Sequence, residues 1–246
     1  MPDLLQAYYE YQTTPDKDLY ANLVINLVPT QATVMLTLIY LKPVERPAAY
    51  APFYKLSPVA DQTGFATLHE LMGAFPTPEI PRWTWYTSSF KPDSDLLSEI
   101  SALLVTAPEK DSIAALRSGT LVATMQPISQ NVILAGQERG GGNALGLRSV
   151  NQTWFALNVG WWGDDDDDVA YASIESLHGK VNRLTAADVH HAALEYIFMN
   201  DANAKQPVIA SYGDQNVRRL HTVQQAYDPS LVFQKLVPGG QKMPPL

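Results

Sequence analysis

Apolar and polar residues alternate at period two in five stretches of this chain and recur at helical spacing in five others, which marks its strands and helices. The predicted strands are Asn22–Val28, Thr33–Tyr40, Arg82–Ser89, Thr120–Gln126 and Thr153–Trp162, all rich in β-branched and aromatic residues. Helical spacing covers Gly64–Phe75, Leu96–Val105, Ser129–Gln137, Asp167–Leu184 and Gln215–Tyr227. Asp93-Ser94-Asp95 can cap the second of these, whose stripe is Leu96, Leu97, Ile100, Leu103 and Leu104. The acids that open Asp167–Leu184 favour a helix N-terminus. Pro-rich connections lie at Lys42–Pro52 and Phe75–Pro81. The order is not a strict alternation of strand and helix. The predicted class is therefore α+β: a large antiparallel sheet with helices packed on one face.

The alternation also sorts residues by face. Phe155, Leu157, Val159 and Trp161 share one side of the last strand; Trp154, Ala156, Asn158, Gly160 and Trp162 share the other. Leu121, Ala123 and Met125 oppose Thr120, Val122, Thr124 and Gln126, and Leu23, Ile25 and Leu27 oppose Asn22, Val24 and Asn26. The apolar faces belong under helices. The other faces hold small residues, amides and indoles, which suit either a solvated sheet surface or the wall of a ligand pocket. Trp154 and Trp162 favour a covered or liganded surface. In Arg82–Ser89, Arg82, Thr84 and Tyr86 oppose Trp83 and Trp85.

With 246 residues, 46% of them apolar, the chain can bury the core of one unit spanning 1–246. No apolar run reaches the roughly 18 residues of a membrane span. Met1-Pro2-Asp3 lacks the basic start and apolar run of a signal peptide, so no membrane span and a cytoplasmic location are expected. The net charge is −8 and the 17 basic residues are scattered, which argues against a nucleic-acid partner. The absence of cysteine excludes disulfides, thiolate catalysis and a cysteinyl–flavin bond.

Few local motifs carry chemistry. Asp164–Asp168 lacks the spacing and glycine of a calcium loop and reads as a solvated helix start. His190 and His191 are adjacent, so they point apart and do not make a metal pair; either could act as a general acid or base. His69, His178 and His221 fall on predicted helices and read as surface or packing residues. Gly140-Gly141-Gly142 follows a helix and precedes no Lys-Ser/Thr, unlike a phosphate loop, and Glu138 beside it is either surface charge or a carboxylate facing substrate. No metal is expected.

Several short segments, taken in order, carry a resemblance. They are Tyr40-Leu41-Lys42-Pro43-Val44, Phe90-Lys91-Pro92-Asp93, Gln126-Pro127-Ile128, Arg139 through Leu147, Ala210-Ser211-Tyr212-Gly213, Asn216 through Leu220, and Tyr227-Asp228-Pro229 with Phe233 through Gly240. Together they resemble the substrate-binding half and C-terminal tail of fungal FAD-linked oxidoreductases of the berberine bridge enzyme type. The resemblance implies an antiparallel sheet that faces the flavin ring across the substrate. It also implies that residues 210–246 form a tail that packs on a flavin domain, a domain with no counterpart in this sequence. Near the flavin the family carries Asn-Tyr-x-Asp. Here Asn200 matches, Asp201 replaces the tyrosine and Asn203 replaces the aspartate.

Two functions follow from that resemblance. One is a cofactor-independent enzyme that holds a hydrophobic polyketide- or terpenoid-like intermediate for cyclisation, pericyclic addition or isomerisation. The other is a binding protein, or a half-enzyme completed by a separate flavin domain. The expected catalytic groups are Arg82 and Tyr86, as donors to a carbonyl, with Asn158 and His190. The expected substrate contacts are Asn26, Thr124, Gln126, Trp154, Trp162, Asn200 and Asp201. A bare face carrying Trp154 and Trp162 predicts a homodimer or higher oligomer.

Overall fold

All five predicted strands form, and a short sixth joins them. A computed structural model of the chain describes residues 1–15, 17–74, 79–140 and 142–245; the predicted end of the first helix at Phe75, most of the Phe75–Pro81 connection and Gly141 lie outside them. In chain order the elements are α1 (Pro2–Thr13), β1 (Ala21–Val28), β2 (Thr33–Tyr40), α2 (Leu68–Ala74), β3 (Arg82–Phe90), α3 (Ser94–Thr106) and α4 (Pro108–Ala114). There follow β4 (Thr120–Ile128), α5 (Gln130–Gly140), β5 (Gln152–Trp161), α6 (Asp167–Ala187), β6 (Ala193–Leu194), α7 (Asp214–Tyr227) and α8 (Val232–Lys235). The strands make one sheet in the order β2-β1-β4-β5-β3-β6. Every pairing is antiparallel. Helices lie against one face, as the α+β reading expects.

That face carries the main core. Leu23, Ile25, Leu121, Met125, Phe155, Leu157, Val159 and Trp161 are buried beneath α1, α3, α4 and α6. Each contributes on the order of 1.5–3 kcal/mol by leaving water. Asp93 caps α3 as predicted: its carboxylate accepts from the amides of Asp95 and Leu96. α1 was not predicted. Proline sits in its first turn, and Leu5, Tyr8 and Tyr11 give it a buried stripe. Tyr8 Oη lies 3.2 Å from Thr153 Oγ1, and Gln12 Nε2 donates to the same oxygen at 2.8 Å, which fixes α1 across β5.

The two sheet edges differ. On the β3 side, β6 pairs with Ser89 and Phe90. Beyond it the Gln206 side chain imitates a strand: it accepts from Thr87 N at 3.0 Å and donates to Thr87 O at 2.8 Å. Among the described residues nothing pairs with the outer side of β2, which holds no charged residue and no proline.

A second, smaller core lies on the opposite face. Tyr196, Val208 and Tyr212 are buried there, with Leu147, Trp154, Phe198 and Leu220 against them. It forms where residues 196–212 fold back over the end of β5. Gly146 permits this because it has φ +68° and a Cβ there would meet the Tyr212 carbonyl.

Candidate functional site

The site follows from register. Trp85 lies opposite Asn158, Thr124 opposite Ala156, and Asn26 opposite Thr124, so these side chains share the face that the helices leave open. Three polar pairs cross it. Thr124 Oγ1 donates to Asn26 Oδ1 at 2.7 Å. Gln126 Nε2 donates to Asp201 Oδ2 at 2.9 Å. Asn158, with its amide turned to suit both neighbours, donates to Val122 O and accepts from Trp85 Nε1, each at 3.1 Å. Aromatic rings frame these pairs. Trp154 packs against Phe198 and Tyr196 with centroids 4.3 and 5.1 Å apart. Trp83 stacks on Trp85 at 5.9 Å and lies over Gly160, where a Cβ would come within 2.9 Å of its ring.

Asp201 is the acid of this face. Burial pushes its carboxyl above the usual carboxylate value, and the Gln126 amide only partly offsets that. Asp201 therefore favours the neutral form more than an ordinary aspartate does, and can donate a hydrogen bond as well as accept one. Asn26, Thr124, Gln126 and Asn158 are half-buried along this open face, the trough. A shallow cavity of about 460 Å³ lies elsewhere, between α3 and α6, and is lined by Glu99, Ala102, Leu103, Lys180, Arg183 and Leu184.

The sheet separates the four expected catalytic groups. Asn158 is on the open face. Arg82 and Tyr86 are on the helix-covered face, so the expected grouping with Asn158 does not form. Arg82 donates to both oxygens of Asp167 at 3.0 and 2.9 Å, and Trp161 Nε1 donates to Asp167 Oδ1 at 2.8 Å. One residue of the acidic run thus ties α6 to the sheet. Tyr86 is buried against His178, with ring centroids 4.8 Å apart. His178 faces Thr87 O at 3.2 Å and Ser88 Oγ at 3.0 Å, and burial lowers its pKa. The cause of the misplacement is that β3 departs from the usual pattern: Arg82 and Ser88 meet side chains of α6, and its two tryptophans face the trough. His190 stands apart, in an exposed turn where Nδ1 lies 2.5 Å from Asp93 Oδ2.

Of the expected contacts, Asn26, Thr124, Gln126, Trp154 and Asp201 come together. Asn200 is exposed beside Asp201. Trp162 lies past the end of β5, exposed under the Arg117 guanidinium at 4.8 Å. Asn203 is a bracket: its Nδ2 donates to Thr84 Oγ1 at 3.1 Å, and its carbonyl accepts from Gln241. Glu138 and His69 are exposed, and His221 Nε2 lies 2.9 Å from the Pro244 carbonyl in the tail. Sequence reasoning missed Trp83 and Trp85 as trough residues. Their alternation was visible, but the face they take is set by pairing with β5.

An FAD-dependent monooxygenase of Arthrobotrys oligospora is 33% identical over 245 residues, which is 97% of this chain and 46% of that protein. The bifunctional solanapyrone synthase of Alternaria solani is 30% identical over 205 residues, 83% of this chain and 39% of the synthase. In structure the chain is similar to 6-hydroxy-D-nicotine oxidase from Arthrobacter nicotinovorans, with TM-score 0.66, 14% identity, and coverage of 100% of this chain and 51% of the oxidase. The chain is thus homologous to part of fungal FAD-dependent monooxygenases and shares the fold of berberine bridge enzyme-like oxidoreductases over about half their length. A carbohydrate oxidase from Microdochium nivale has the same fold, at TM-score 0.62 and 15% identity, covering 100% of this chain and 52% of that one. No family model matches the sequence. The chain spans about half the length of the curated relatives it matches.

These oxidoreductases imply FAD, and the trough can be tested for it. Its amides, hydroxyls, indoles and single carboxyl suit a neutral planar ring bearing carbonyls. However, no lysine or arginine stands on β1, β2, β4 or β5, and Arg82 of β3 is on the other face, held by Asp167. The strands of this surface therefore offer a diphosphate no counter-charge. The strands by themselves do not form an FAD site.

Proposed function

We propose that this chain supplies the substrate-facing wall of a fungal small-molecule oxidoreductase, and that a flavin-binding unit, in the same polypeptide or another, completes the site. The tail carries the proposal. Tyr227, Phe233 and Leu236 are 86%, 64% and 75% exposed, and α7 buries none of its residues. Apolar surface of that kind on an ordered segment marks a docking face. Residues 210–246 are the part that the resemblance sets against a flavin domain. A shallow trough also needs a second wall to exclude water from a substrate.

In this reading a hydrophobic substrate lies along Trp83, Trp85 and Trp154. Asn158, Thr124 and the Gln126–Asp201 pair orient its oxygens, and Asp201 holds or releases a proton at a substrate carbonyl. Redox capacity belongs to the flavin-binding unit. The test is complementation. The chain is mixed with the flavin-binding half of the Arthrobotrys oligospora relative, and gel filtration is followed at flavin and protein wavelengths. Co-elution of flavin with both parts is expected, and Phe233→Ser with Leu236→Ser should abolish it. Failure of the wild-type pair to associate overturns the proposal.

Asp201 favours a second reading. A carboxyl that prefers to stay neutral, held by an amide among aromatic rings, can polarise a carbonyl without any cofactor, as cyclisation, pericyclic addition or isomerisation of a polyketide-like intermediate requires. Turnover of such an intermediate by the colourless chain alone, lost in Asp201→Ala, would decide for it. Self-association is proposed at a different place than expected. Trp154 is covered by Phe198 and Tyr196, whereas the unpaired outer edge of β2 leaves Val34 and Met35 exposed. Pairing of two β2 edges would give a homodimer.

A further inference from the structure

We propose that Asp93, Asp188 and His190 form a binding site for one divalent transition-metal ion, with the donor preference of Zn²⁺. One ligand atom from each of the three lies within 4.8 Å of the others. Asp93 stands where β3 steps into α3; Asp188 and His190 stand in the turn between α6 and β6. The fold brings these distant segments together where Lys91 N donates to Ala192 O at 2.8 Å.

Both carboxylates are already oriented. Asp93 uses Oδ1 to accept from the amides of Asp95 and Leu96 at 3.0 and 2.9 Å. Asp188 uses Oδ2 to accept from the amides of His190 and Ala192 at 3.0 and 3.1 Å. Each therefore keeps a second oxygen whose direction is fixed by backbone, the role that outer-sphere hydrogen bonds have at metal centres. His190 points its Nδ1 at Asp93 Oδ2, 2.5 Å away. Its side chain is 66% exposed, so the ring can swing from that contact to the wider spacing of two ligands on one ion.

The chemistry selects the metal. One imidazole nitrogen with two carboxylate oxygens suits Zn²⁺ and its neighbours, whereas Mg²⁺ and Ca²⁺ prefer oxygen alone. Three protein ligands at the surface leave a coordination position open to water. Two carboxylates give the set a charge that a dication offsets. Lys91 Nζ donates to the His190 carbonyl at 3.3 Å. Asp188 is two residues from His190 in the chain, and the fold brings in Asp93.

The test uses the full chain, stripped with chelator, in calorimetric titrations with ZnCl₂ and with MgCl₂. One Zn²⁺ per chain is expected, with no saturable Mg²⁺ binding. His190→Ala and Asp188→Asn should each weaken Zn²⁺ binding by about tenfold or more. Asp93→Asn should do the same while keeping the helix cap, and His69→Ala should change nothing. Co²⁺ should give a d–d spectrum that His190→Gln removes. Absence of saturable Zn²⁺ binding, or binding that survives His190→Ala, overturns the proposal; urea midpoints of the metal-free variants identify any loss that comes from misfolding.

Discussion

On the helix-covered side of the sheet, Phe155, Leu157, Val159 and Trp161 are buried side by side, and the polar groups among them are tied to helices. Arg82 meets Asp167, Thr153 meets Gln12, and Ser88 meets His178 and Asn182. On the other side the same strands present Asn26, Thr124, Gln126 and Asn158, which find partners on neighbouring strands or on Asp201 and stay within reach of solvent. One face spends its polar groups on holding the fold. The other keeps them in short pairs that a ligand can break one at a time without loosening the core. A face whose hydrogen bonds hold helices cannot release them to a substrate, because an orphaned buried group costs about 1–3 kcal/mol.

The sharpest way to break this comparison is to truncate one residue on each side. Phe155→Ala should cost about 3–5 kcal/mol in urea unfolding. Val122→Ala on the open face should cost less than about 1.5 kcal/mol. Equal losses would mean that both faces are structural.

A second variant probes the latch between α6 and the sheet. Arg82→Met should cost about 1–2 kcal/mol, since it leaves Asp167 with only the Trp161 indole and the ion pair is partly exposed. It should leave ligand binding at the trough unchanged. Binding lost by Arg82→Met but kept by Asp167→Asn would return Arg82 to the site.

The third concerns pH. The folded-state pKa of Asp201 is raised above 3.8, so the native state holds its proton more tightly than the unfolded chain does. The stabilisation is full below the unfolded value and is lost as pH rises through the folded one. Asp201→Asn should therefore flatten the stability profile just above pH 3.8 and leave neutral-pH stability equal or higher. His178 gives the opposite sign. Its pKa is lowered from 6.5 by burial, so its contribution is present above that value and fades as pH falls through the folded one. Histidine NMR should show it titrating below 6.5.

The smallest effect is expected at the bare edge. Met35→Lys should change monomer stability by no more than about 0.5 kcal/mol and convert any dimer to monomer in light scattering.

Much of the fold was legible because both periods are local. The five long strands, the Asp93 cap and the long α6 are each written within a few consecutive residues. α1 was legible too, in the three-residue spacing of Leu5, Tyr8 and Tyr11, but the eye passes over tyrosines as core residues. β6 has only two residues and carries no period to read. The site was half legible. Alternation separated Asn158 from Leu157, and Trp85 from Tyr86, yet which member of each pair faces the trough depends on a neighbouring strand. On β3, where Arg82 and Ser88 turn inward to α6 and two tryptophans turn out, the rule that apolar side chains point in fails.

By itself the sequence determined the elements, the apolar side of most strands and the resemblance to fungal FAD-linked oxidoreductases. These rest on short-range spacing and on ordered motifs that survive without knowledge of contacts. The tertiary structure alone decided that Arg82 belongs to Asp167, that Asp201 reaches Gln126, and that Asp93 reaches His190. The reason is physical. Each of these contacts joins segments about 75 to 100 residues apart, and a side chain's partner at that separation is chosen by strand register and helix docking, which no local pattern encodes.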